Sequence, residues 1–442
     1  MHEVMLSEYG TMSAQPSPVS RMMASFAADF RDDVDINLGV GYVNEETIPS
    51  SYIQEAMAEV LRDPRKYRQP LNYGGPEGSP NLIESIRRYH LAQGVGGLDE
   101  DTLSKLRIII GSSGATSILE GLAHVLPRGI VLTADPVYYI YTNTLDRLGF
   151  EVVAVPEDEE GIDTDALRKR IADLGERRNE IRFIYVVTVG NPTCTVISNA
   201  RRRDLVAVAV ELSRDLGRKI PLILDKAYED LIHDPAVERP ESALLHDELG
   251  ICYEVGTVSK ILAPALRIGY MMGRDSDLMR ALVQRCSDVG FSASLLMQDV
   301  ASYMLDRRIA SQVRGVNRGY REKARAVRGL IGRYLGGTLE QVTGGSASFY
   351  FYLTLNVETH ERSGFFRFLS RTTGDERIDG PSGAKRARVV YVPGEHFVHP
   401  GGELVGLGRR QLRVSYGYET LGNIEAGLRL MGEAAEYARG RL

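Results

Sequence analysis

The chain has 442 residues, 43% of them apolar and 25% charged, with a net charge of −6. These are ordinary values for a globular protein with room for two or three domains. The acidic balance and the lack of a basic block argue against nucleic acid or an anionic membrane as the main partner, and no apolar run approaches the roughly 18 residues that would span a bilayer.

Residues Met1 to Glu8 lack a basic region followed by an apolar one, so no secretory leader is expected. The three cysteines, Cys194, Cys252 and Cys286, form no CxxC pair. That argues against a disulfide framework or structural zinc and makes a reducing cytoplasm the expected location. With no HExxH or EF-hand pattern, no metal site is expected.

In chain order, a helical pattern covers Val19 to Arg31, and Ile36 to Tyr42 alternates like a strand broken by glycines. Ile53 to Leu61 reads as an amphipathic helix. Tyr73 to Pro80 reads as a loop in which Tyr73 is the only functional handle, and Asn81 to His90 as a helix. At Ile108-Ile109-Ile110 the texture changes to a continuous apolar run. It leads through Gly111-Ser112-Ser113-Gly114-Ala115-Thr116 into a helix over Ser117 to Val125. A strand, a glycine-rich turn and a helix start present free backbone N–H groups to an anion.

Gly129 to Thr133 is a further buried strand, ending at Asp135-Pro136-Val137-Tyr138. Val152 to Val155 is another strand, and Asp163 to Leu174 a helix. Three later apolar runs end in polar residues: Arg182 to Val187 before Asn191, Ile220 to Leu224 before Asp225 and Tyr228, and Ile251 to Val255 before Ser259 and Lys260. The helix Asn199 to Leu216 lies between the first two. Such alternation predicts an α/β fold, a mostly parallel sheet covered by helices, with ligands outside the carboxyl ends of the strands. That rule brings Asn191, Asp225 and Lys260 around one crevice.

A partly desolvated Lys260 would hold a neutral amine able to condense with an aldehyde. The hydroxyls of Thr257 and Ser259, with Arg267, would suit the phosphate of a cofactor carrying that aldehyde. A long helix over Ala310 to Tyr334 reads as a connector to a smaller α+β domain. Its strands are expected at Phe349 to Leu355, Val389 to Val392 and Gln411 to Tyr416, and its last helix at Leu421 to Arg439. The expected division is residues 1–65, belonging mainly to the small domain, 66–310 as the large domain, and 311–442 as the rest of the small one.

With these motifs in order, the chain resembles the class I/II aminotransferases, enzymes of fold type I that depend on pyridoxal phosphate. The resemblance implies that Lys260 is the Schiff-base lysine and that Asp225 partners the pyridine nitrogen. It also implies that Tyr228 and Asn191 face the phenolic oxygen and that Tyr138 stacks on the ring. Gly114, Ala115, Thr116, Thr257, Ser259 and Arg267 would cradle the phosphate. Arg413 would grip the substrate's α-carboxylate, with Asn191 and the Gly41 backbone beside it. Tyr73 matches the tyrosine that reaches the neighbouring subunit's phosphate, so a homodimer follows.

The implied reaction is ping-pong transfer of an amino group from an L-amino acid to a 2-oxo acid. A lyase or cyclising enzyme with the same cofactor is the alternative, since fold does not fix reaction outcome. A non-catalytic sensor is a further one, although the roughly 35 residues before Ile36 are too few for a winged-helix domain. Cys194 stands where glycine is usual, Thr257 where serine or glycine is more typical, and Ala265 where glycine is frequent. The segment Gly344 to Phe349 resembles the family's substrate-facing turn only loosely.

Overall fold

The computed structural model describes residues 4–381 and 384–440, so the first three residues of the segment read for a leader lie outside it. A two-residue strand, β1 (Ile36–Asn37), precedes the main sheet. The apolar runs then form β2 (Leu106–Ile110), β3 (Ile130–Asp135), β4 (Glu151–Asp158), β5 (Gly161–Ile162), β6 (Ile181–Val187), β7 (Leu222–Asp225), β8 (Cys252–Thr257) and β9 (Gly269–Arg274). These make one eight-stranded sheet in the order β2-β9-β8-β7-β6-β3-β4-β5.

The central pairs, β4 with β3, β3 with β6, β6 with β7 and β7 with β8, are parallel. Every residue of β3, β7 and β8 is buried, which is why these runs are continuous rather than alternating. The sequence reading did not foresee β9. It runs antiparallel to both β8 and β2. The Lys260-to-Arg267 stretch therefore lies in the connection between two antiparallel strands.

The remaining strands are β10 (Leu339–Gly344), β11 (Tyr350–Leu355), β12 (Val389–Val390), β13 (Val392–Pro393) and β14 (Gln411–Ser415). Four of them form an antiparallel sheet in the order β10-β11-β14-β13. The expected strand over Val389 to Val392 is split at Tyr391, with β12 pairing in parallel with β1 and β13 pairing with β14. The expected strand over Ile36 to Tyr42 shrinks to β1. Beyond it the Asn37 side chain accepts the N–H groups of Gly39 and Val40, both at 3.2 Å, and turns the chain into a loop.

The long helix spans Ile309–Leu335 and buries Val316, Tyr320, Ala324, Val327, Ile331 and Leu335, a single stripe at helical spacing. Near its start the Gln312 side chain donates to the carbonyls of Thr47 (2.7 Å) and Ile261 (3.0 Å). Near its end Tyr334 donates to Glu425 of the final helix, Leu421–Ala438, at 2.8 Å.

After a short helix over Glu8–Ser13, the helix expected from Val19 to Arg31 is Pro18–Ala27, capped by Ser17, and stops before Arg31. Arg31 instead binds Asp35, whose buried carboxylate also takes the backbone N–H and guanidinium of Arg388, both at 2.9 Å. This cluster pins β1 beside β12. Burial pushes the Asp35 carboxyl up, but the bonds from Arg31 and Arg388 outweigh it and hold the group well below the usual carboxylate range.

Its contribution to stability is therefore complete above the unfolded value of about 3.9 and fades as pH falls below it. Asp35→Asn is expected to cost about 3 kcal/mol in urea unfolding at neutral pH, because two guanidinium groups lose a buried partner. The difference from the parent should shrink by about pH 3. An unchanged urea midpoint at neutral pH would refute this role.

Candidate active site

Polar residues at the carboxyl ends of β6, β7 and β8 converge on a cavity of about 220 Å³. Of the residues singled out from sequence, Ala115, Thr116, Tyr138, Asn191, Asp225, Tyr228, Thr257, Ser259, Lys260 and Arg267 all line it. A larger cleft of about 880 Å³ lies elsewhere, between Asp32–Ile36, the Phe368–Ala387 stretch and the last helix. Its walls mix arginines and carboxylates without converging on one point, so the chemistry is placed at the smaller cavity.

Asp225 closes β7. It is buried, and its carboxylate accepts from the Tyr185 hydroxyl (2.9 Å) and the Ala227 N–H (3.0 Å). No cation pairs with it among the described residues. Burial accordingly pushes its pKa up, against the two hydrogen bonds. A protonated ring nitrogen would supply the missing positive partner.

The next residue, Lys226, points the other way. It binds Glu254 at 2.9 Å and Glu229 at 3.0 Å, and Glu229 in turn holds Arg202 at 2.7 Å. All four side chains are buried. This network fixes the strand end from behind.

Lys260 follows β8, and its Nζ donates to the Gly41 carbonyl at 3.2 Å, over the rings of Tyr228 (5.5 Å) and Phe349 (5.7 Å). Burial, with the charges of Arg413 and Arg267, lowers its pKa to about 8. The phosphate-side residues are set by close packing. Arg267 takes a left-handed backbone (φ +53°) and lays its guanidinium across the Ser113 and Pro264 carbonyls.

A Cβ at Gly114 would lie 2.8 Å from that guanidinium, and one at Gly269 only 2.1 Å from the Ala115 nitrogen. Gly114 thus stands behind Arg267 and off the cavity wall. It opens the helix Gly114–Val125, whose first-turn N–H groups have no helical acceptor.

Thr257 lines the cavity, with its Oγ1 2.7 Å from the Ile268 carbonyl, 2.9 Å from Ser259 Oγ and 3.1 Å from the Ser259 N–H. The hydroxyl hydrogen is drawn to Ile268, so Thr257 shapes the turn and orients Ser259.

Arg413, on β14, is buried. It donates to Asn191 Oδ1 and to the Gly39 carbonyl, both at 2.7 Å. The Gly41 carbonyl, two residues on, receives Lys260. The Arg413 guanidinium lies over Tyr350 (4.2 Å) and Phe397 (5.1 Å), and its Nε is buried with no partner. An orphaned charged donor of this kind fits an incoming carboxylate.

Cys194 takes φ +57°, a conformation that favours glycine, and its thiol is pushed up to about 12 by burial. Ala265 has no such constraint. Tyr73 lies outside the cavity, 78% exposed and packed 5.1 Å from Phe291, which is also exposed.

Tyr185, Tyr350, Phe397 and Gly39 stand at the site without having been expected there. Tyr185 and Tyr350 are aromatic residues in apolar strands, and only register shows that they face the site; Phe397 follows the turn Gly394–His396.

In the protein without cofactor, covalent labelling of Lys260 by an amine-reactive probe should be half-maximal near pH 8, well below the ordinary lysine value of about 10.4. Peptide mass spectrometry reads this directly. A midpoint at the ordinary value would refute the desolvated environment.

The family described as aminotransferase class I and II matches residues 34–370. The chain is 26% identical over 393 residues to the 2-aminoadipate transaminase of Thermus thermophilus, covering 88% of this chain and 87% of that one. It is 24% identical over 404 residues to the uncharacterised HTH-type transcriptional regulator YisV of Bacillus subtilis, covering 90% of this chain and 73% of the relative. The structure matches that of the multiple substrate aminotransferase of Thermococcus profundus with a TM-score of 0.81 at 20% identity, covering 99% of this chain and 98% of that one.

Proposed function

The chain belongs to the class I and II aminotransferase family, and from that premise we propose that it moves an amino group from an L-amino acid to a 2-oxo acid with pyridoxal phosphate held at Lys260. The observation that carries this reading is a pair of incomplete charges at one site, Asp225 on the cavity wall and Arg413 behind it, bonded to the lining residue Asn191. Asp225 is a buried carboxylate without a cation, and Arg413 is a buried cation with an unused nitrogen. A cofactor with a basic ring nitrogen and a substrate with a carboxylate would complete both.

When bound, pyridoxal phosphate supplies an aldehyde for condensation with amines and a ring that accepts electrons. The chain supplies the rest. Asp225 would keep a proton on the ring nitrogen. Ala115, Thr116, Ser259 and Arg267 would hold the phosphate, with Gly114 opening the turn and Thr257 orienting Ser259. Tyr138 would cover the ring, and Tyr228 with Asn191 would face the phenolic oxygen.

Arg413 would fix the substrate's carboxylate between Asn191 and the Gly39 carbonyl and so orient its Cα–H bond. Lys260, neutral in good part near pH 8, would take the Cα proton and return it beyond the amino nitrogen, at the cofactor's former aldehyde carbon. Sheltering from water is assisted by the Phe349, Tyr350 and Phe397 rings around this end of the site.

Tyr73 would serve the neighbouring subunit of a homodimer, which fits a tyrosine that is exposed here and turned away from its own cavity. The main sheet would form the large domain, residues 66–310, and the flanking segments the small one. Residues Tyr139 and Phe397, 5.4 Å apart beside Arg413, favour an apolar or aromatic donor side chain. The buried, unpaired state of all three cysteines fits a reducing compartment, and the cytoplasm is the proposed location. No helix among the described residues is long and apolar enough to cross a membrane.

Lys260→Ala should abolish the visible absorbance that pyridoxal phosphate acquires on binding and reduce transamination by about 10⁴-fold. Full activity in this variant would end the assignment. A panel of amino donors against pyruvate and 2-oxoglutarate should show faster turnover with aromatic or large apolar donors than with aspartate. Consumption of an amino acid without formation of its 2-oxo acid would point to the lyase or cyclising alternative. The kinship to YisV makes the sensor the other outcome, read as cofactor binding with no turnover of any amino acid.

A further inference from the structure

We propose that Tyr350 is a positioning residue for the cofactor's phenolic oxygen, acting through Tyr228: it donates a hydrogen bond to the Tyr228 hydroxyl and thereby strengthens the one Tyr228 can donate into the cavity. This rests on the reading of the cavity as a pyridoxal phosphate site.

The two hydroxyls lie 3.0 Å apart, both on buried side chains, and neither has another hydrogen-bond partner among the described residues. Two phenols carry two hydrogens, and only one can lie between the oxygens. The surroundings decide which. Around Tyr350 there is no second acceptor. Gly41 approaches so closely that a Cβ there would lie 2.7 Å from the Tyr350 oxygen, and Arg413, over the ring face at 4.2 Å, only donates.

Tyr228, by contrast, lines the cavity, and Tyr350 does not. The Tyr350 hydrogen therefore goes to Tyr228, and the Tyr228 hydrogen is left for whatever occupies the cavity.

A hydroxyl that accepts one hydrogen bond donates a stronger one. Donation to the phenolic oxygen withdraws negative charge from the neighbourhood of the proton held at the Lys260–cofactor linkage, so that proton is lost at lower pH. The same geometry gives Gly41 a second purpose. Its missing side chain leaves room for the Tyr350 hydroxyl, while its carbonyl receives Lys260.

The test is a pH titration of the visible absorbance of the protein loaded with pyridoxal phosphate. Tyr350→Phe should raise the midpoint by about half to one pH unit, a 3- to 10-fold gain in proton affinity. Tyr228→Phe should raise it further. The double variant should match Tyr228→Phe alone, since Tyr350 acts only through that residue.

Gly41→Ala displaces the Tyr350 hydroxyl without altering its side chain and should also raise the midpoint, which keeps the test decisive if Tyr350→Phe folds poorly. In the cofactor-free protein, Gly41→Ala should lower the melting temperature, and adding Tyr350→Phe should recover part of the loss. Unchanged midpoints in Tyr350→Phe and Gly41→Ala, or a double variant in which the two shifts simply add, would overturn this inference alone. A parent protein with no titrating visible band would overturn the cofactor assignment itself.

Discussion

Arg413 is the interaction on which the site depends. One guanidinium joins Asn191, on the loop after β6, to Gly39, in the segment after β1, while rooted in β14. Three parts of the chain distant in sequence are thereby held around one buried charge. Such a charge is tolerated inside a protein only when its donors are met. Two of its nitrogens have partners, the Tyr350 and Phe397 rings lie against the guanidinium, and Nε is buried without a partner. The unmet donor is a structural cost that a carboxylate ligand would remove.

The opposite wall is built the same way. Asp225 and Lys226 are adjacent at the end of β7 and point to opposite sides. Lys226 is fully satisfied by Glu229 and Glu254, whose charges outweigh the burial that would otherwise lower its pKa. Asp225 is left with neutral donors only. Charge balance is thus complete behind the strand end and incomplete in front of it, and the incomplete side faces the cavity.

Lys260 lines the same cavity as Asp225 and feels the charge of Arg413. Its amine is desolvated, near two arginines and bonded only to a carbonyl, so the neutral form is favoured without any negative partner. Such clusters of perturbed groups in one cleft are what catalysis with a carbonyl cofactor requires. The turn that carries Lys260 is stiffened by Thr257 and by the left-handed Arg267.

Much of this was legible in the residues themselves. Continuous apolar runs ending at Asn191, Asp225 and Lys260 fix a covered sheet and put those three at one edge, because burial on both faces leaves no alternation and strand ends share a rim. Local composition could not show that β9 runs backwards, that Val389 to Val392 divides between two sheets, or that Arg413 reaches Gly39. Those are pairings decided by register and packing, some of them between segments hundreds of residues apart. The same holds for Tyr185 and Tyr350. An aromatic residue in an apolar run reads as core, and only the fold turns its hydroxyl or ring toward a reacting centre.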